Sequence, residues 1–78
     1  MKQQTEIIEA IAKHLGVTPA DIELDASLFE DLGLSPIEVA DLLSVLSNRF
    51  GITFDPAETE NLRTVNDLVV LVEDLQLE

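Results

Sequence analysis

The stretch Phe29-Glu30-Asp31-Leu32-Gly33-Leu34-Ser35-Pro36-Ile37-Glu38-Val39-Ala40-Asp41-Leu42-Leu43 turns through a glycine and runs into the strongest helical pattern of the chain. Ser35 is followed by Pro36 and then by Glu38, which completes a capping box, and proline suits the first helical position because its missing N–H has no partner there anyway. The spacing predicts a helix that starts at Pro36. Val39, Leu42, Leu43, Leu46 and Phe50 recur at helical intervals and leave Glu38, Asp41, Ser44 and Asn48 elsewhere on the cylinder. Gly51 is placed to end that helix as its C-terminal cap.

Working outward toward the amino terminus, Ile7, Ile8, Ile11 and Leu15 share one face of a helix predicted from about Thr5 to Leu15, with Gly16 as its stop. His14 falls in its last turn with no second histidine or cysteine nearby in sequence, and reads as a surface residue rather than a ligand. From Val17 to Ser35 runs a long connection that carries turn signals and apolar anchors, so it is expected to be ordered. Thr18-Pro19 reads as a capped turn held by Val17, Ile22 and Leu24. Ser27 with Glu30 makes another capping-box pattern, and Leu28, Phe29 and Leu32 are expected to close the end of a bundle.

Toward the carboxyl terminus, Ile52-Thr53-Phe54 has strand-like composition but no partner strand, and reads as an extended linker. Asp55-Pro56 with Glu58 opens a short helix to about Asn61. Thr64 with Asp67 caps a last helix that carries Val65, Leu68, Val69, Val72 and Leu75 to the inside. The fold class expected is all-α, a four-helix bundle of three long helices and one short one, near residues 5–15, 36–50, 56–61 and 65–75. Residues 1–78 read as a single domain, because 78 residues with 46% apolar content can bury one core and not two.

Sixteen acidic residues against four basic ones give a formal net charge of −12, which repels phosphate backbones and anionic membrane surfaces and attracts basic protein faces. Nucleic-acid binding is therefore not expected. With no cysteine and one histidine there is no disulfide framework, no thiolate metal site and no nucleophile–base pair. The acidic runs at 21–31 and 55–66 lack the alternating ligands and central glycine of a calcium loop. No apolar run is long enough to span a bilayer, and the start of the chain lacks the pattern of a signal peptide, so a cytoplasmic, monomeric, non-enzymatic protein is expected, with no metal and no catalytic residues.

Gly16-Val17, Ala26-Ser27-Leu28-Phe29-Glu30-Asp31-Leu32-Gly33, Asn48-Arg49-Phe50-Gly51-Ile52 and Leu62-Arg63-Thr64-Val65-Asn66-Asp67-Leu68 together resemble the acyl carrier protein family over nearly the whole chain. The resemblance implies a four-helix bundle that holds acyl groups as thioesters on a 4'-phosphopantetheine arm and delivers them to enzymes of fatty-acid or secondary metabolism. It also implies partners among acyl-transfer and synthase enzymes with basic docking faces, which would read acids such as Glu38 and Asp41. Those two residues read equally well as a solvated helix face near the positive end of the dipole. In the family the arm sits on the serine of an Asp-Ser-Leu triplet at the start of the second long helix. Here that triplet is Ser35-Pro36-Ile37, so proline stands at the serine position and the candidate attachment residue is Ser35, shifted by one.

One residue is about 3.8 Å along the chain, and misplacements near 1 Å can cost about a hundredfold in rate, so inefficient modification of Ser35 is expected. The alternative reading is an unmodified protein of the same fold that serves as an acidic interaction or regulatory module. An acyl chain, if carried, is implied by the resemblance to lie near Leu46, Phe54 and Leu62. The apolar stripes themselves read first as core.

Overall fold

The computed structural model describes residues 2–77, with side chains from Gln4 onward. Among the described residues four α-helices follow one another: α1 (Lys2–Leu15), α2 (Pro36–Phe50), α3 (Pro56–Thr59) and α4 (Val65–Leu77), with one 3-10 turn at Pro19–Asp21 between α1 and α2. The all-α architecture is the one expected, and among the described residues Ile52-Thr53-Phe54 pairs with no strand. Among the described residues the one β-type contact is an isolated antiparallel bridge between Ser27 and Thr64.

The bounds of α2 match the punctuation in the sequence. Ser35 is extended and caps the helix, Pro36 follows at the first helical position, and Gly51 closes it in the left-handed region at φ 66°. A residue with a Cβ would be strained at that φ, which is why glycine sits there. The Gly51 and Ile52 N–H groups both donate to the Ser47 carbonyl, and the Ser47 hydroxyl donates back to the Ile52 carbonyl. These bonds turn Ile52 inward, where it is buried.

α1 starts three residues earlier than expected, at Lys2 rather than Thr5. Lys2, Gln3 and Gln4 are good helix formers, so the first turn extends back past Thr5 with no cap signal among these residues to mark its start. Packed against both α2 and α4, this helix buries a wider band than the single face expected. Ile7 and Ile11 are fully buried, Ala10 and Ala12 are buried beside them, and Ile8 and Leu15 are only partly covered. Alanines on a helix sandwiched between two others let the backbones approach without a large side chain to accommodate.

The connection from Val17 to Ser35 is ordered by its own hydrogen bonds and by one segment at the far end of the chain. The N–H of Leu28 donates to the Arg63 carbonyl at 2.8 Å, that of Val65 to the Ala26 carbonyl at 3.0 Å, and that of Asn66 to the Leu24 carbonyl at 2.8 Å. This short ladder ties the loop to the start of α4, with Leu28 and Val65 fully buried on either side. Three local expectations are corrected here. Phe29 is 41% exposed and does not close the bundle, a task left to Leu28 with Leu32 partly buried. Val17 is 42% exposed and does not anchor its turn, whereas Ile22 is buried. The Thr18 hydroxyl makes no backbone cap and instead donates to the Asp21 carboxylate at 2.9 Å.

The remaining caps follow the pattern read from sequence, with one exchange of partners. At Ser27 the hydroxyl accepts from the Glu30 N–H, but the carboxylate that reaches back to the Ser27 N–H is Asp31, at 2.7 Å. The short α3 ends at Thr59, two residues before the expected Asn61, with the Glu60 N–H bonded to the Pro56 carbonyl. At α4 the Thr64 hydroxyl accepts from the Asp67 N–H, and the Asp67 carboxylate accepts from the N–H groups of both Thr64 and Arg63. Those backbone donors, Thr64 first, hold the Asp67 carboxyl below the usual carboxylate range. α4 continues to Leu77, past the expected Leu75, because nothing in Glu73-Asp74-Leu75-Gln76-Leu77 breaks a helix.

The core is one cluster shared by all the long helices. Leu28, Leu42, Leu46, Val65, Leu68 and Val72 are fully buried, and Leu34, Val39, Ile52 and Leu62 are buried around them. Each such side chain contributes about 1.5–3 kcal/mol by leaving water, which in so small a domain makes the position of the first turn of α2 a consequence of Val39 and Leu42 below it. The outer side of that turn is what remains for function.

Candidate functional site

Ser35, Pro36, Ile37, Glu38 and Asp41 are all exposed at the start of α2. The Ser35 hydroxyl oxygen accepts from the Glu38 N–H at 3.2 Å, and the Glu38 carboxylate accepts from the Ser35 N–H at 2.9 Å. The Ser35 carbonyl takes the Val39 N–H at 2.9 Å. Pro36 has no N–H, so of the first-turn amides only that of Ile37 is without a protein acceptor among the described residues. Gly33, with φ 69°, bends the chain into this start, and the Leu34 N–H bonds back to the Leu28 carbonyl while its side chain enters the core.

Glu38 and Asp41, singled out in the sequence, are brought together with His14, which the sequence read only as a surface residue. His14, at the end of α1, places Nε2 3.4 Å from Oδ2 of Asp41, with its side chain about a quarter exposed. Sequence distance hid this contact, since 27 residues separate the two; only the antiparallel return of the chain across α1 and α2 brings them side by side. Between α1, the 3-10 turn and α2 lies an open cleft of about 380 Å³, which His14, Asp21, Glu38 and Asp41 border.

Ile37 was named in the sequence only as the last residue of the Ser35-Pro36-Ile37 triplet. It is 82% exposed, an aliphatic side chain two residues after Ser35. The signal for it was available: Ile37 lies off the Val39, Leu42 and Leu46 stripe that faces the core. Among the described residues, those implied for an acyl chain lie in different surroundings. Leu46 is fully buried, Leu62 lines a cleft with Val70 and Leu71, and Phe54 lines a different one with Pro56 and Leu75. Those apolar stripes are core, as read first.

The structure is an acidic helical bundle with an exposed hydroxyl at the start of α2. The family profile described as phosphopantetheine attachment site matches residues 5–72. The acyl carrier protein of Exiguobacterium sibiricum is 41% identical over 68 residues, 87% of this chain and 86% of that one. The acyl carrier protein of Campylobacter hominis is 31% identical over 70 residues, 90% and 89% of the two chains. That of Chlamydia trachomatis serovar D is 29% identical over 76 residues, 97% and 99%. The chain belongs to the phosphopantetheine-attachment family of carrier proteins, and it is not an enzyme.

The family's prosthetic group is 4'-phosphopantetheine, and the residues at the start of α2 can be tested for it. Pro36 has no oxygen to bear it. Ser35 has one: it is exposed, it acts in the cap only as an acceptor, and its O–H has no protein acceptor among the described residues. An anionic ester there would lie at the positive end of the α2 dipole with the Ile37 N–H free nearby, opposed by the carboxylate of Glu38. The group fits Ser35 and cannot fit Pro36.

Proposed function

We propose that this protein is an acyl carrier that takes its arm on Ser35, and takes it slowly. The carrying observation is that the exposed hydroxyl at the start of α2 belongs to the capping residue, one position before the family's serine position. The arm, when attached, supplies a thiol that holds an acyl group as a thioester. Ser35 supplies the ester oxygen, Pro36 fixes the chain in helical geometry directly after it, and Ile37, Glu38 and Asp41 form the surface next to it. In this reading Glu38 and Asp41 meet basic faces on acyl-transfer and synthase enzymes, drawn by a chain of net charge −12. The protein acts as a single domain and a monomer in the cytoplasm; among the described residues no helix is long and apolar enough to cross a membrane.

The test is intact-mass measurement after incubation with coenzyme A and a broad-specificity phosphopantetheinyl transferase. One arm per chain is expected, gained only at high transferase levels and long times, and absent from Ser35→Ala. Fast, complete loading at ordinary enzyme levels would overturn the slow step. No loading at any level would leave the unmodified acidic interaction module as the function.

A further inference from the structure

The cap of α2 is built from the two groups that a charge placed on Ser35 disturbs. The Ser35 hydroxyl oxygen accepts from the Glu38 N–H at 3.2 Å, and Glu38 Oε1 reaches back over the turn to accept from the Ser35 N–H at 2.9 Å. That second bond keeps a carboxylate on the very residue that bears the hydroxyl. Among the described residues no basic side chain lies within ion-pair distance of Glu38 to neutralise it. In loading, the Ser35 oxygen forms a bond to the phosphorus beside pantetheine in coenzyme A and gives up its proton to solvent. The bond from that phosphorus to the bridging oxygen breaks, and adenosine 3',5'-bisphosphate leaves with the electron pair. The oxygen that capped the helix is then a bridging ester oxygen, a poorer acceptor, and a second negative charge stands on the residue that the Glu38 carboxylate already holds.

We infer that the arm on Ser35 and the carboxylate of Glu38 exclude each other: attachment expels Glu38 from the cap, and Glu38, as a positioning residue, holds attachment back. Two like charges about 4 Å apart in water repel enough to change a rate or an equilibrium about fivefold. The coupling is reciprocal, because a carboxylate that disfavours the modified state is itself displaced by the modification. It is Glu38 that gives way, since the ester is fixed covalently and the carboxylate is held by one hydrogen bond at an exposed turn. The Glu38 N–H, left by the bridging oxygen, and the Ile37 N–H, which has no protein acceptor among the described residues, both remain for the phosphate oxygens. This exclusion rests on the reading of Ser35 as the attachment residue, and adds to the shift in register a second brake made from the cap itself.

Two experiments test it. In the first, kcat and KM for loading by the transferase are measured by intact mass for the wild type, Glu38→Gln and Glu60→Gln. Glutamine keeps the reach of the capping box without the charge. Glu38→Gln is expected to raise kcat about fivefold whatever happens to KM, while Glu60→Gln, an equal loss of charge outside α2, leaves kcat unchanged. The second experiment needs no transferase. The full chain is made by chemical synthesis with Ser35 as its methyl phosphodiester, in the wild-type sequence and in Glu38→Gln, and each is melted in urea beside its unmodified counterpart. The ester is expected to lower the folding constant about fivefold more in the wild-type sequence than in Glu38→Gln. A kcat for Glu38→Gln at or below the wild-type value, or an ester whose effect on folding is the same in both sequences, overturns the exclusion. If Ser35 takes no arm at any transferase level the carrier reading falls, and the synthetic ester still decides whether a charge on Ser35 and the Glu38 carboxylate compete.

Discussion

Ser35 and Glu38 are bonded to each other twice, N–H to carboxylate at 2.9 Å and N–H to hydroxyl at 3.2 Å, so the residue proposed to take the arm also closes the first turn of α2. Removing the hydroxyl leaves the Glu38 N–H without its acceptor, and Ser35→Ala is expected to destabilise the domain by about 1 kcal/mol. Ser35→Asp should be nearly neutral, because aspartate caps equally well and its charge suits the helix dipole. Urea melts of the three proteins check this. Both variants melting with the wild type would show that the hydroxyl is not capping and is freer to react than proposed.

Asp67 makes the corresponding bond at α4 and gives it a pH dependence. Its carboxyl is held below the usual range by the N–H groups of Thr64 and Arg63, so the folded state favours the ionised form more than the unfolded chain does. The stabilisation is therefore complete above the unfolded value of about 4 and is lost as pH falls through the lower folded value. Asp67→Asn should lower stability by about 1 kcal/mol at pH 7, and the gap between variant and wild type should close at the acid end. Denaturant melts at pH 7, 4 and 3 give the comparison; a gap that stays constant across them would mean that Asp67 acts in the cap without its charge.

Much of the fold was legible because the chain punctuates itself. The bounds of α2 could be read to the residue from Ser35, Pro36, Glu38 and Gly51, each of which has a local physical reason to sit at a helix end. Where punctuation is missing the reading drifted, by three residues at Lys2 and two at Leu77, since helix propensity alone sets no boundary. The Ser27–Thr64 bridge and the His14–Asp41 contact were not legible at all. Both join residues far apart in sequence, and neither pair carries a periodic or motif signal; they exist because Leu28 and Val65, and α1 and α2, are brought together by the core. At the site, the residues Ser35, Glu38 and Asp41 were legible from their position at a helix start, while the cleft beside them depends on the 3-10 turn carrying Asp21 across to α2.

A net charge of −12 on 78 residues makes the folded state work against its own repulsion. Among the described residues the one acid–base side-chain pair within ion-pair distance is His14–Asp41, so most carboxylates have no basic partner to offset them. Added salt screens charges separated by more than about 8–10 Å at 0.1–0.15 M, and the melting temperature is expected to rise between low and moderate salt. Scans at 10 mM and 200 mM sodium chloride test it; an unchanged melting temperature would mean that the unfolded chain is relieved as much as the folded one.

The register of the attachment loop can be changed without changing its architecture. In the double variant Ser35→Asp, Pro36→Ser, aspartate takes over the cap that Ser35 now makes, and the hydroxyl moves one residue into the helix start, to the position the family uses. Folding should be little affected: the cap is kept, and serine at the first helical position replaces a proline whose missing N–H had no helical partner there. The new hydroxyl is no longer the group that holds the Glu38 N–H, so it reacts without giving up a cap. Because a displacement of about 3.8 Å is removed, loading by the transferase should rise by a hundredfold or more over the wild type at equal enzyme, read as the rate of mass gain. A double variant loaded no faster than the wild type would mean that register is not what slows Ser35. The obstacle would then lie in the surface the transferase meets, of which Ile37, Glu38, Asp41 and the exposed Arg49 are the side chains to exchange next.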